Sequence, residues 1–124
     1  MNSNFTRIIR ILLGVILLIF GTNKFFRFMP LPEMPENANN FMKSLGETGY
    51  ILPVVGALEV LIGGLLLAKK WVPFALILLV PISLNILLFH VFLDLPQVGA
   101  ALLIAILNGM LIYKNWTQYK QLFV

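Results

Sequence analysis

The chain has 124 residues, of which 60% are hydrophobic and 11% charged, whereas a soluble globular chain carries about a quarter charged residues. This composition excludes an ordinary soluble domain and predicts a membrane protein. With no cysteine and one histidine, the chain lacks the side chains for a thiol-disulfide relay, a thiolate metal site, or a haem or copper centre, so we predict neither a catalytic residue nor a metal ligand.

Four apolar segments are long enough to cross a bilayer as helices, which takes about 20 residues each. Their runs are continuous and do not alternate as the strands of a membrane barrel would. The start of the chain resembles a signal peptide, but its apolar run is long and no small-x-small cleavage site follows, so we expect a retained helix. The sequence predicts one all-α domain over residues 1–124, an integral membrane four-helix bundle with helices near 8–28, 50–68, 71–93 and 98–113.

The charges indicate how the bundle crosses the membrane. Basic residues precede span one, fill the second connection and follow span four, and acidic residues are concentrated in the first connection. The positive-inside rule therefore predicts both termini in the cytoplasm of a multi-pass cell-membrane protein, in the inner membrane if bacterial. Lys24 and Arg27 at the outer end of span one count against it. Because topology accounts for the net charge of +4, we expect no nucleic-acid partner.

Span one carries Gly14, Gly21 and Lys24 near one stripe of a helix. Small residues let helices approach closely in lipid, so this stripe is expected to face a neighbour. Lys24 either extends its ammonium to the outer surface or turns into the bundle.

The first connection begins with prolines that end span one, and a short amphipathic helix follows near 37–46. Its apolar residues Phe41, Met42 and Leu45 recur at helical spacing. The helix is either a plain interfacial helix or a lid over a pocket that opens to the outer face.

Span two places Glu59 between Gly56 and Gly63 on one face. A charged side chain at the centre of a membrane helix costs about 2.5–3.5 kcal/mol on insertion scales, and such residues usually face the bundle interior and mark a function. Glu59 is therefore the first candidate for a site residue, and its ionisation depends on whether a cation lies nearby.

Spans three and four supply further polar side chains. Pro81 lies inside span three and is expected to kink it. Asn85 and His90 follow, five residues apart, and their side chains differ in direction by about 140° around the helix axis. They therefore face different neighbouring helices or flank one pocket. Asn108 in span four is either a ligand-facing group or an interhelical hydrogen bond.

Depth along the helices decides which of these groups can meet. At about 1.5 Å per residue, Glu59, Asn85 and Asn108 lie about 12 to 15 Å below the outer ends of their spans, and Lys24 and His90 about 4 to 6 Å. These five residues are our candidates for ligand or proton binding. They predict an outward-facing pocket with Lys24 and His90 at its mouth.

The motifs that carry these residues are the GTNKFFRF end of span one, LExxxG in span two, PxxxNxxxFH in span three and the YKQLF tail. With them, the chain resembles the DoxX-like family of small four-helix membrane proteins over nearly its whole length. The resemblance implies a subunit associated with quinol oxidation or another membrane redox complex. It also implies recurrent polar positions at Lys24, Glu59, Asn85 and His90.

Three functions are compatible with this sequence. The first is an accessory subunit that contacts a quinone or a redox partner, since the side chains cannot carry electrons themselves. The second is a proton-coupled transporter that uses Glu59, although the small multidrug resistance family places its glutamate in helix one. The third is a structural protein whose polar groups specify packing. All three contact the lipid bilayer, and a homo-oligomer is compatible with each.

Overall fold

A computed structural model of the chain describes residues 3–27 and 33–124. These residues form helices and no strand, so the predicted all-α fold is confirmed. Four helical segments are long and apolar enough to cross a membrane, as predicted. The helices are α1 (Ser3–Phe26), α2 (Glu36–Glu47), α3 (Ile51–Ala68), α4 (Val72–Leu93), α5 (Val98–Lys114) and α6 (Trp116–Tyr119), with 3-10 turns at Leu95–Gln97 and Lys120–Phe123.

The ends of the helices follow local chemistry. α1 begins upstream of the apolar run and includes Arg7 and Arg10. Its predicted end at Phe28, with Pro30 and Pro32, falls outside the described residues. α2 begins directly after Pro35. α4 continues through Pro81 as one helix, because neighbouring groups in a bundle can take over the hydrogen bonds that a proline frees.

Glycines set the contact between α1 and α3. A Cβ at Gly63 would lie 2.8 Å from the carbonyl oxygen of Gly14, and one at Gly21 would lie 2.9 Å from that of Gly56. These distances are shorter than a carbon and an oxygen tolerate, so the two backbones approach as closely as they do only because all four positions lack a side chain. The glycine stripes of the two spans face each other.

The buried core fills only one half of the bundle. It is built from the beginnings of α1 and α4 and the ends of α3 and α5, and includes Leu13, Leu17, Ile62, Leu66, Leu76, Leu79 and Leu111. We call this the packed half. The opposite half, toward α2, is the hollow half, since it encloses a large cavity described below. Outward-facing apolar side chains such as Leu84 and Ile106, 51% and 54% exposed, suit a lipid surrounding.

Both termini lie at the end of the packed half that carries the α3–α4 turn. The guanidinium of Arg10 donates to the carbonyl oxygen of Leu66 at the end of α3. The hydroxyl of Tyr119 donates to the carbonyl oxygen of Pro73 at 2.6 Å. These contacts fix the termini at one end of the molecule, and their location in the cytoplasm stays a prediction from the charge pattern.

Candidate ligand cavity

An ion pair joins α1 and α3 in the hollow half. Lys24 Nζ lies 2.6 Å from Glu59 Oε1, with side chains 24% and 1% exposed. The glycines bring the two helices together at this level, since a Cβ at Gly21 would lie 3.0 Å from Glu59 Cβ and one at Gly56 3.1 Å from Lys24 Cβ. The lysine therefore turns into the bundle and neutralises the carboxylate.

The lysine contacts only one of the two carboxylate oxygens of Glu59. Glu59 Oε2 is buried and has no hydrogen-bond partner among the described residues. Buried polar atoms usually have a partner, and each exception calls for an explanation such as an unseen ligand. Glu59 thus retains an acceptor for a donor that enters from outside the chain.

A cavity of about 820 Å³ lies beside the ion pair. Most of its wall is apolar and comes from α1 through α5, with Phe20, Val55, Ile82, Ile86 and Ile104 among the lining residues. Its polar lining is formed by Lys24, Glu59, Asn85, His90 and Gln97. Four of the five residues predicted from the sequence therefore line one cavity.

Asn85 reaches the cavity from the middle of α4. Its Nδ2 donates to the carbonyl oxygen of Pro81 at 2.8 Å. An amide group has two N–H donors and a carbonyl acceptor, so one hydrogen bond leaves further capacity for a ligand. The contact also holds the side chain against its own helix, which fixes the direction in which that capacity points.

His90 lies one turn from the end of α4 and is backed by an aspartate. Its Nδ1 is 3.4 Å from the backbone oxygen of Asp94 and 3.9 Å from Oδ2 of the same residue. Asp94 is 1% exposed, and neither of its carboxylate oxygens has a hydrogen-bond partner among the described residues. Asp94 was not predicted as part of the site, although its i, i+4 spacing from His90 could have indicated it.

Asn108 lies outside the cavity. Its Nδ2 donates to the carbonyl oxygen of Leu76 at 2.9 Å, and its Oδ1 accepts from the Ser83 hydroxyl at 3.3 Å. Both partners are on α4, and Asn108 is 3% exposed. It therefore joins α5 to α4 on the packed side of the cavity.

The apolar face of α2 covers the cavity. Phe41, Met42 and Leu45 all line it. The Phe41 ring stacks on Phe89 of α4 with centroids 5.5 Å apart and an interplanar angle of 30°. The sequence left two alternatives for α2, a plain interfacial helix and a lid over a pocket. The arrangement resembles a lid, since the apolar residues of α2 face the cavity.

The arrangement suits an apolar ligand with a few hydrogen-bonding atoms. No three histidine, cysteine, aspartate or glutamate side chains among residues 3–27 and 33–124 are grouped to hold a metal ion. The model of the DoxX family matches residues 5–91, which include Lys24, Glu59, Asn85 and His90 but neither Asp94 nor Asn108. No curated protein and no solved structure matches the chain.

Proposed function

The chain belongs to the DoxX family of membrane proteins, and from that premise we propose that it is an accessory subunit of a membrane redox system whose cavity binds a quinone. One observation carries the proposal: an apolar cavity of about 820 Å³ has an ion-paired lysine, an amide and an imidazole in its wall. Binding sites for small molecules typically measure about 300–1,000 Å³ and combine apolar walls with a few placed polar groups.

The polar groups match the atoms of a quinone ring. A quinone presents two carbonyl acceptors, and the N–H groups of Lys24 and Asn85 are donors; His90 donates from whichever ring nitrogen carries the proton. When bound, a quinone supplies the two-electron redox chemistry that the family resemblance implies. Glu59 Oε2 is a hydrogen-bond acceptor. It therefore favours a quinol, whose hydroxyl groups can donate to it, over a quinone, whose carbonyl groups cannot.

The apolar residues would hold the remainder of the ligand and exclude water. Phe41 and Phe89 lie against each other at the α2 side of the cavity, and flat aromatic side chains stack favourably on a flat ring. Phe92, which also lines the cavity, is 77% exposed, and such a wall suits a ligand that partitions into the bilayer.

The alternative functions fit the cavity less well. In a proton-coupled transporter that uses Glu59, the cationic substrate or the proton would have to displace the Lys24 ammonium, which lies 2.6 Å from the carboxylate. A purely structural role gives no reason for a cavity of this size that has several polar groups in its wall.

Purification from the native membrane tests the proposal. We expect the wild-type protein to retain quinone on organic extraction and to bring partner subunits with it. Asn85→Leu removes one donor from the cavity wall, and because a hydrogen bond contributes about 0.5–1.5 kcal/mol, quinone affinity should fall about twofold to tenfold. Asn40→Leu, on the exposed part of α2 and away from the cavity, is the matched control and should retain quinone as the wild type does. Reproducible absence of both quinone and partner subunits from the purified wild-type protein would contradict the proposal.

A further inference from the structure

A second cavity, of about 540 Å³, lies at the end of the bundle that carries the termini. Four cationic side chains from three parts of the fold line it: Arg7 and Arg10 from α1, Lys69 from the α3–α4 turn and Lys114 from the end of α5. We call it the basic cavity. It shares no lining residue with the cavity beside Glu59.

The fold holds two of these cations in place. Arg10 donates to the carbonyl oxygen of Leu66. Lys69 ends α3 in the left-handed conformation, with φ 55°, and its backbone N–H also donates to Leu66, at 3.3 Å. The last turn of α3 therefore holds the Arg10 guanidinium directly and fixes the backbone position from which the exposed Lys69 side chain extends.

No side-chain carboxylate of the chain is available to neutralise this cavity. The five acidic residues of the sequence lie in the hollow half or in the connections at its end, and they are Glu33, Glu36, Glu47, Glu59 and Asp94. Like charges that line one cavity repel each other. An external anion would relieve this repulsion, and the Ser3 hydroxyl and the Asn4 amide, which also line the cavity, could donate further hydrogen bonds.

We propose that the basic cavity binds a phosphate group. Guanidinium groups match phosphate oxygens with two parallel N–H donors, and lysine ammonium groups add point charge. The surroundings favour the phosphodiester of an anionic lipid as the source, because Phe5, Ile8 and Ile11 of α1 are 43%, 61% and 37% exposed beside Arg7 and can contact acyl chains. Basic pockets between membrane helices bind lipid headgroups in this way.

Native mass spectrometry of the full chain in detergent tests the proposal. The protein is titrated with phosphatidylglycerol, with phosphatidylcholine as the neutral-headgroup control, and separately with inorganic phosphate. The variant is Arg7→Gln combined with Lys69→Gln, which leaves the structural contact of Arg10 intact. The matched control is Lys70→Gln combined with Lys120→Gln, which removes the same charge from the same end without touching the cavity lining.

The wild type should bind phosphatidylglycerol in preference to phosphatidylcholine. Each cation near an anionic headgroup contributes about a fivefold change in affinity, so the cavity variant should bind about 25-fold more weakly and the control within about twofold of wild type. If inorganic phosphate displaces the lipid from the wild type, with the same loss in the cavity variant, the proposal stands with a soluble phosphate as its source. Equal weakening of the two double variants, or no phosphate-dependent binding of either kind, would overturn it.

Discussion

The two members of the Lys24–Glu59 pair differ in their access to the surroundings. The glutamate side chain is 1% exposed and lies in the middle of α3, whereas the lysine side chain is 24% exposed and lies in the last turns of α1. A long lysine side chain near a helix end can extend its ammonium toward the membrane surface. Loss of the glutamate therefore leaves the lysine an alternative position, and loss of the lysine leaves the carboxylate none.

This asymmetry predicts unequal effects of removing each partner. Lys24→Met leaves an unpaired buried carboxylate and should lower the free energy of unfolding by about 3–5 kcal/mol. Glu59→Gln should cost less, about 1–2 kcal/mol, because the freed lysine can reach the surface. Unfolding of the purified protein in detergent measures both. Lys43→Met, at an exposed position of α2, is the control and should leave the free energy of unfolding unchanged. Equal costs for the two members of the pair would contradict this account.

Tyr119 predicts a pH dependence at the opposite end of the molecule. Burial raises the pKa of its hydroxyl from the ordinary 10 to about 12, and the hydroxyl donates to Pro73. The folded state keeps this proton where the unfolded chain has lost it. The stabilisation is therefore fully present below pH 10 and is lost as the pH rises toward 12.

The measurement compares the wild type with Tyr119→Phe in thermal unfolding between pH 8 and 11.5. Other groups also titrate in this range, so the difference between the two proteins isolates Tyr119. The destabilisation caused by the substitution should be largest at pH 8 and should shrink above pH 10. A constant difference at every pH would show that the hydroxyl does not titrate with folding.

Helix geometry explains which site residues the sequence could place together. The rise per residue fixes the height of each side chain, and a glycine stripe fixes the direction that Glu59 faces, so Glu59 was expected toward a neighbouring helix. For Lys24 the sequence left two positions open, one at the outer surface and one inside the bundle. Height alone did not fix the direction of Asn108, which contacts α4. Asp94 was missed as a site residue because its position at the end of a span is typical of a solvated loop residue, and only its 1% exposure in the folded chain distinguishes it.

At the scale of helices, the α1–α3 contact depends on glycines that face the partner helix. Gly63 and Gly64 are adjacent in the sequence but lie in different surroundings. A Cβ at Gly63 would lie 2.8 Å from the Gly14 carbonyl oxygen, whereas a Cβ at Gly64 would meet no atom within 4 Å. The pair therefore offers a matched comparison.

Gly63→Ala should destabilise the protein by about 1–3 kcal/mol, because α1 and α3 must move apart. Gly64→Ala should be neutral or stabilising by up to about 1 kcal/mol, because alanine favours a helix over glycine. Denaturation in detergent distinguishes the two. Similar stabilities would mean that the close approach of the helices is not required.

The covering helix α2 shows how far the sequence pattern extends. The spacing of Phe41, Met42 and Leu45 predicted an amphipathic helix near 37–46, and the structure has one at Glu36–Glu47. The same pattern suits an apolar face on lipid and an apolar face on a cavity, so it could not decide between them. That decision depends on Phe89 of α4, which is distant in the sequence and stacks on Phe41.

In the whole molecule, the packed and hollow halves differ in what they contain. The packed half contains the contiguous apolar core, and the hollow half contains the ion pair and the larger cavity. The sequence predicted the four spans and their polar residues. It could not predict the volume left between them, because that volume depends on how side chains from four helices fit together.

The orientation of the bundle can be tested directly because the chain has no cysteine. Single-cysteine variants at Ser44 in α2 and Thr117 in α6, both exposed, are treated in intact cells with a membrane-impermeant maleimide. From the positive-inside rule, we expect labelling of Ser44→Cys and protection of Thr117→Cys until the membrane is opened. The reverse pattern would place the termini outside.

Photolabelling of the purified full chain with an azidoquinone, followed by peptide mapping, tests most directly whether the larger cavity binds a quinone. We expect labels on residues of α2, α3 and α4 that line the larger cavity, and competition by excess unlabelled quinone. Labelling should be reduced in Asn85→Leu but not in Asn40→Leu. Labels confined to lipid-facing residues such as Leu84 and Ile106, or labelling that unlabelled quinone does not suppress, would contradict it.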